Sequence, residues 1–194
     1  EVAGSVWGAG FFDAGSVFKR IVERMPEEEH EIWLRYLDAG RYTQNIQCNV
    51  LLVAATSDRW FYPPCVMRTY GMVLSPKMIV WAPNESHNAR AVAGGSQSPG
   101  RRSLVGMETY FLDYFLKGTG NTFPAIIVSE TAQTDAGLNI SGKLKYASAV
   151  ESLSLWYAPV PAGGKWPNVK WQDGSCTLDK SGRFEATLPG EASN

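Results

Sequence analysis

Two short apolar runs separated by a helical interval constrain this chain more than anything else in it. The first, Val50-Leu51-Leu52-Val53-Ala54-Ala55, contains no polar residue. That is the composition of a strand covered on both faces, as strands of parallel sheets are. The second run, Met78 to Trp81, follows Lys77. Between them Pro63-Pro64 blocks further strand and presets a helix start, and Val66, Met67 and Tyr70 fall on one helical face. Strand, helix and strand in this order predict a parallel pair joined by a crossover. In such sheets binding and chemistry collect outside the carboxyl ends of the strands. There the first run releases Thr56-Ser57-Asp58 and the second releases Pro83-Asn84-Glu85-Ser86-His87. An acid and an imidazole therefore reach one crest.

The rest of the chain fits around this pair. Residues 1–12, EVAGSVWGAGFF, begin as a strand and pass into a glycine turn beside Trp7. Asp13 to Ser16 caps a helix with Phe18, Ile21, Val22 and Met25 in register, and Pro26 interrupts it. Glu27, Glu28 and Glu29 then open a second helix, where negative charge suits the positive end of the helix dipole. Ile32, Trp33, Tyr36 and Leu37 supply its apolar face and Gly40 its stop, with His30 on the solvated side. From Ser103 to Lys117 the residues Leu104, Met107, Phe111 and Phe115 set a further helical period, closed by Gly118. Residues 1–117 thus read β, αα, β, α, β, α, a parallel sheet of three strands with flanking helices.

After Gly120 the pattern changes to alternation. Leu138, Ile140, Leu144 and Tyr146 face one way, and Asn139, Ser141, Lys143 and Lys145 the other. Val150–Tyr157 and Arg183–Leu188 repeat it, with turn clusters at Pro161-Ala162-Gly163-Gly164, Asp173-Gly174 and Lys180-Ser181-Gly182. The expectation is an α/β portion over residues 1–120 and a small all-β sandwich over residues 121–194. Trp156, Trp166 and Trp171 in the latter serve packing, with stacking on a sugar ring as the alternative.

Composition narrows the function. The chain has 194 residues, 44% hydrophobic and 19% charged, and a formal net charge of -1. This is a globular composition without the basic surface that nucleic acid or anionic lipid requires. Lys19-Arg20 and Arg101-Arg102 are the only adjacent basic pairs, too little for a phosphate groove. No apolar run approaches the roughly 20 residues of a bilayer span. Three cysteines, Cys48, Cys65 and Cys176, cannot form a complete disulfide set, so free thiols are the default. With His30 and His87 as the only histidines and no HExxH or CxxC motif, neither a metal nor another cofactor is expected.

Asp58 and His87 suit general acid–base work. An acid that orients an imidazole fixes its tautomer and stabilises the charge it gains on taking a proton from a nucleophile. Each residue also has a plain explanation, an Asx turn for Asp58 and solvation for His87. Neighbouring strands lie about 4.8 Å apart, so these loops can bring the side chains within hydrogen-bond reach.

The segment VLLVAATSDRWFYPP…LSPKMIVWAPNESHNA resembles the C-terminal part of serine α/β-hydrolases. It is most similar to acetyl xylan esterase and cephalosporin-C deacetylase relatives and to PhoPQ-activated pathogenicity-related proteins. Their acid motif of D-x-x-F/W-x-P type is matched by Asp58, Phe61 and Pro63, and their P-N-x-x-H loop by Pro83, Asn84 and His87. The resemblance, over about residues 1–117, implies that EVAGSVWG is the sixth strand of the hydrolase sheet. It implies a fold that is the C-terminal portion of an α/β-hydrolase parallel sheet, strands 6 to 8, followed by the sandwich. It also implies Asp58 as orienting acid and His87 as general base, with Trp7, Trp60, Phe61 and Tyr62 lining an acyl or leaving-group pocket.

The nucleophile is missing. No G-x-S-x-G elbow occurs. Gly94-Gly95-Ser96-Gln97-Ser98 lacks the last glycine and follows His87, and Ser5 lacks glycines in register. The expectation is therefore a fragment of an ester-cleaving serine hydrolase, acting on acetyl or similar acyl groups on small molecules or carbohydrate, inactive without its N-terminal part. Two alternatives stand beside it, a peptidase of prolyl oligopeptidase type and a non-catalytic carbohydrate-binding remnant. The compartment is open. Sequons at Asn84 and Asn139 and an appended sandwich favour a secreted or periplasmic setting, and unpaired cysteines oppose it.

Overall fold

The structure, a computed structural model, describes residues 23–36, 38–87, 106–160 and 165–189. The described residues fall into two compact units. One comprises those up to Gly118 with those between Pro159 and Lys170, and the other Thr119–Ala158 with the residues from Trp171 onward.

In the first unit, α1 (Glu27–Tyr36) opens with its three glutamates in the first turn. Its buried residue is Leu34, whereas Ile32 and Tyr36, expected on the apolar face, are exposed. The chain then tightens into a 3-10 turn, Ala39–Asn45, capped by the Asp38 carboxylate, which accepts the Gly40 N–H at 2.8 Å. Gly40 thus lies inside a second helical turn rather than stopping the helix.

Strands β1 (Val50–Ala55) and β2 (Lys77–Ala82) pair in parallel, in a register running from Val50↔Lys77 to Ala55↔Ala82. Helix α2 (Pro63–Met72) makes the crossover, with Pro63 at its start. Its buried side chains are Pro63, Cys65, Val66 and Thr69, and Met67 is exposed. The buried stripe is set one position away from the predicted one, because the Thr69 hydroxyl donates to the Cys65 carbonyl at 3.2 Å and can enter the core with its polarity satisfied. Val50, Leu52, Val66 and Val73 form the core, with Phe61, Ile79 and Trp81 packed against it. Further on, α3 (Met107–Leu112) runs into a wider π turn, Asp113–Lys117, and ends on Gly118 in the left-handed region at φ 68°, a conformation that costs glycine nothing.

The second unit is one antiparallel sheet in the order β3-β4-β7-β6-β5, built from β3 (Ala125–Thr134), β4 (Gly137–Lys145), β5 (Leu155–Tyr157), β6 (Gln172–Leu178) and β7 (Arg183–Pro189). β5, β6 and β7 follow one another as neighbours, and β4 returns beside β7, a Greek-key order within a single sheet. Strand β7 alternates as predicted, with Phe184 and Ala186 buried between exposed Arg183, Glu185 and Thr187. Tyr146 does not continue the β4 alternation. It sits at φ 58° just beyond the strand and is exposed. Trp156 and Trp171 of this unit are half-buried, as is Trp166 in the first unit.

The expected fold class is therefore corrected. The described residues do not form a portion of an α/β-hydrolase parallel sheet with flanking helices followed by a β-sandwich. The parallel part is two strands, the principal sheet is antiparallel with five strands, and helices are few. A parallel sheet grows only through crossovers, and one crossover is present among the described residues. The strand expected at EVAGSVWG lies outside them. The sandwich fails for a second reason. The β3–β4 and β6–β7 turns are short and keep successive strands in one ladder. The predicted Asp173-Gly174 turn is strand as well, with Gly174 opposite Leu155 in β6.

Candidate active site

The ladder between β1 and β2 ends at Ala55↔Ala82, both buried, and the two crest loops stand directly on this pair. Pairing continues past the strands. Thr56 N–H donates to the Ala82 carbonyl at 3.1 Å and Ser57 N–H to the Glu85 carbonyl at 3.0 Å. The buried Thr56 hydroxyl accepts the Asn84 N–H at 2.7 Å. Asn84 adopts φ 60°, the left-handed turn conformation that asparagine tolerates better than most residues.

On this base the structure brings Asp58 and His87 together. His87 Nδ1 lies 2.9 Å from Asp58 Oδ2. A carboxylate only accepts, so Nδ1 carries the hydrogen and donates it. The other carboxylate oxygen is occupied too. Oδ1 accepts the Trp60 N–H at 2.7 Å and the Phe61 N–H at 3.2 Å. Asp58 thus makes the expected Asx turn and also meets His87, on different oxygens. One oxygen makes an Asx turn that locks the side chain, and the locked side chain presents the other to the imidazole. Asp58 is 7% exposed, while the His87 side chain keeps 34% of its surface open. With Nδ1 engaged, Nε2 remains for chemistry.

Aromatic rings flank the imidazole. The Phe61 ring centroid lies 5.8 Å from that of His87, tilted, and the Trp60 centroid lies 6.4 Å away, near edge-on. Phe61 also packs on the β1 core, so it ties the imidazole's surroundings to the rigid part of the unit. Tyr62 is half-buried and stands at the start of α2, its carbonyl accepting the Val66 N–H at 3.1 Å. Trp7, Ser5 and Ser96 lie outside the described residues. Among the described residues no three His, Cys, Asp or Glu side chains cluster to hold a metal, and no helix is long and apolar enough to cross a membrane.

The meeting of Thr56 with Asn84 is what reading the sequence missed. Pro83-Asn84 marks a turn, but nothing in the chain signals that its amide meets a hydroxyl 28 residues earlier. No known protein family, curated protein or solved structure matches this chain.

Proposed function

We propose that this chain carries the acid and histidine of a Ser-Asp-His hydrolase that cleaves carboxylic esters, acetyl or similar acyl groups, with carbohydrate esters among its substrates. The observation that supports this reading most is the 2.9 Å bond from His87 Nδ1 to an Asp58 carboxylate already locked by two backbone amides. This is the half of a triad that makes a serine reactive. His87 Nε2 takes the serine proton as Oγ attacks the acyl carbon, and Asp58 stabilises the resulting imidazolium. The proton then passes to the leaving alkoxide, and the acyl-enzyme is hydrolysed by water that His87 activates in turn. Trp60 and Phe61, with Tyr62, line the acyl or leaving-group side.

The 194 residues contain no G-x-S-x-G elbow, so the serine belongs to a part of the protein outside them. Two measurements test the proposal. The chain alone remains unlabelled by a fluorophosphonate probe and turns over no acetyl ester; stoichiometric labelling would overturn the placing of the nucleophile. A longer form that includes a serine elbow is labelled, and its kcat falls by about 10⁴-fold in Asp58→Asn and about 10⁶-fold in His87→Ala, the losses typical of a broken triad. Retained activity in either variant overturns the roles.

A further inference from the structure

We propose that Thr56, acting through Asn84, is the positioning residue that sets the two crest loops in register and so holds His87 on Asp58. The inference rests on the pairing of Asp58 with His87 described above. Among the hydrogen bonds that join the loops, three lie between the end of the ladder and the acid–histidine pair. Two of them, Thr56 N–H to Ala82 and Ser57 N–H to Glu85, are purely main-chain and survive any substitution but proline. The third depends on a side chain, because the Asn84 N–H is received by the Thr56 hydroxyl at 2.7 Å.

The choice of threonine matters. Its branched Cβ restricts rotation about χ1, so the oxygen has a fixed aim. Thr56 is 3% exposed, which leaves little access for water to take over the acceptor's role. Asn84, held by that oxygen, turns the chain through φ 60°, and His87 follows three residues later. On the other loop Asp58 follows Thr56 by two residues. The clamp is therefore at the root of both loops, where a small slip is carried outward to the 2.9 Å contact.

The test reads the imidazole directly and needs no nucleophile. In ¹⁵N spectra of the neutral imidazoles of the unaltered chain, His87 is expected as the Nδ1–H tautomer, with His30 as an internal comparison. Thr56→Val keeps the shape and removes the acceptor, and should lower the ratio of Nδ1–H to Nε2–H at His87 by roughly fivefold to tenfold, the equilibrium equivalent of one hydrogen bond. Thr56→Ser keeps the hydroxyl and should restore most of the ratio. A Thr56→Val chain with native circular dichroism and an unchanged ratio overturns the positioning role while leaving the pairing of acid and histidine intact. An unaltered chain in which His87 is the Nε2–H tautomer overturns the pairing itself, and this inference with it. If Thr56→Val does not fold, the unaltered chain decides: the Asn84 amide should exchange at least about tenfold slower than an unprotected one. Exchange at the unprotected rate overturns the clamp.

Discussion

The parallel pair β1–β2 and the five-stranded antiparallel sheet stand in opposite relations to water. Strand β1 buries Val50, Leu52 and Ala55, and its crossover helix adds Val66. Strand β3 is exposed at nearly every position, with Ile126 at 60%, Ile127 at 40% and Val128 at 53%. Burial in that sheet is confined to a few side chains of its central strands, chiefly Leu144, Phe184 and Ala186. A crossover helix covers the face it crosses, whereas a hairpin covers nothing. The candidate chemistry stands on the covered pair, where the crest loops rise from a packed floor and an acid can be held in one place.

This contrast can be broken most directly in the cores. Phe184→Ala removes a large buried side chain of β7 and should cost about 3–5 kcal/mol, and Leu52→Ala in β1 about 2–5 kcal/mol. Ile126→Ala on β3 should change stability by no more than about 0.5 kcal/mol. Urea titrations of the three variants make the comparison. An Ile126 variant as costly as the Phe184 one would show that β3 is covered in solution.

A sharper probe of the sheet is Gly142. A Cβ there would stand 2.1 Å from the Ile127 carbonyl oxygen and 2.6 Å from Phe184 Cζ. The ring could turn aside, but the carbonyl belongs to the adjoining strand and cannot. Gly142→Ala should therefore cost about 3 kcal/mol, at the upper end of overpacking, and accelerate amide exchange in β3 and β4. Gly71, which has nothing within 4 Å of its Cβ position, is the control in the other unit: Gly71→Ala in α2 should hold or raise stability.

These positions also mark what the sequence could and could not reveal. β1, the crossover helix, β2 and the meeting of Asp58 with His87 were legible because each follows from local pattern plus the direction of a parallel pair. The larger sheet was not. Asp173-Gly174 has the composition of a turn, yet Gly174 lies inside β6, where Leu155 and Tyr157 come within 3.2–3.3 Å of where a Cβ would be and would have to give way to one. That crowding comes from another strand and leaves no mark in the neighbouring residues. Thr56 is silent for the same reason, its partner being fixed only when the two loops stand side by side. Alternation along β4 and β7 announced strands, but it did not say whether a second sheet covers them.

The smallest expected effect concerns the turn between β6 and β7. Asp179 Oδ1 accepts the Ser181 hydroxyl at 2.8 Å, the Arg183 N–H at 2.9 Å and the Ser181 N–H at 2.8 Å. The Ser181 hydroxyl first, and then the Arg183 amide, hold its carboxyl below the usual carboxylate range. The folded chain therefore keeps this group ionised to lower pH than the unfolded chain does. Its contribution to stability is complete above the unfolded pKa of about 3.9 and is lost as pH falls through the lowered folded value. Because the group is fully exposed, solvent screens the effect and it should be slight. Asp179→Asn should lower the melting temperature a little at pH 6, and the gap from the unaltered chain should close as the pH approaches 2. A gap that is the same at both pH values would mean that the Asp179 charge adds nothing to the turn.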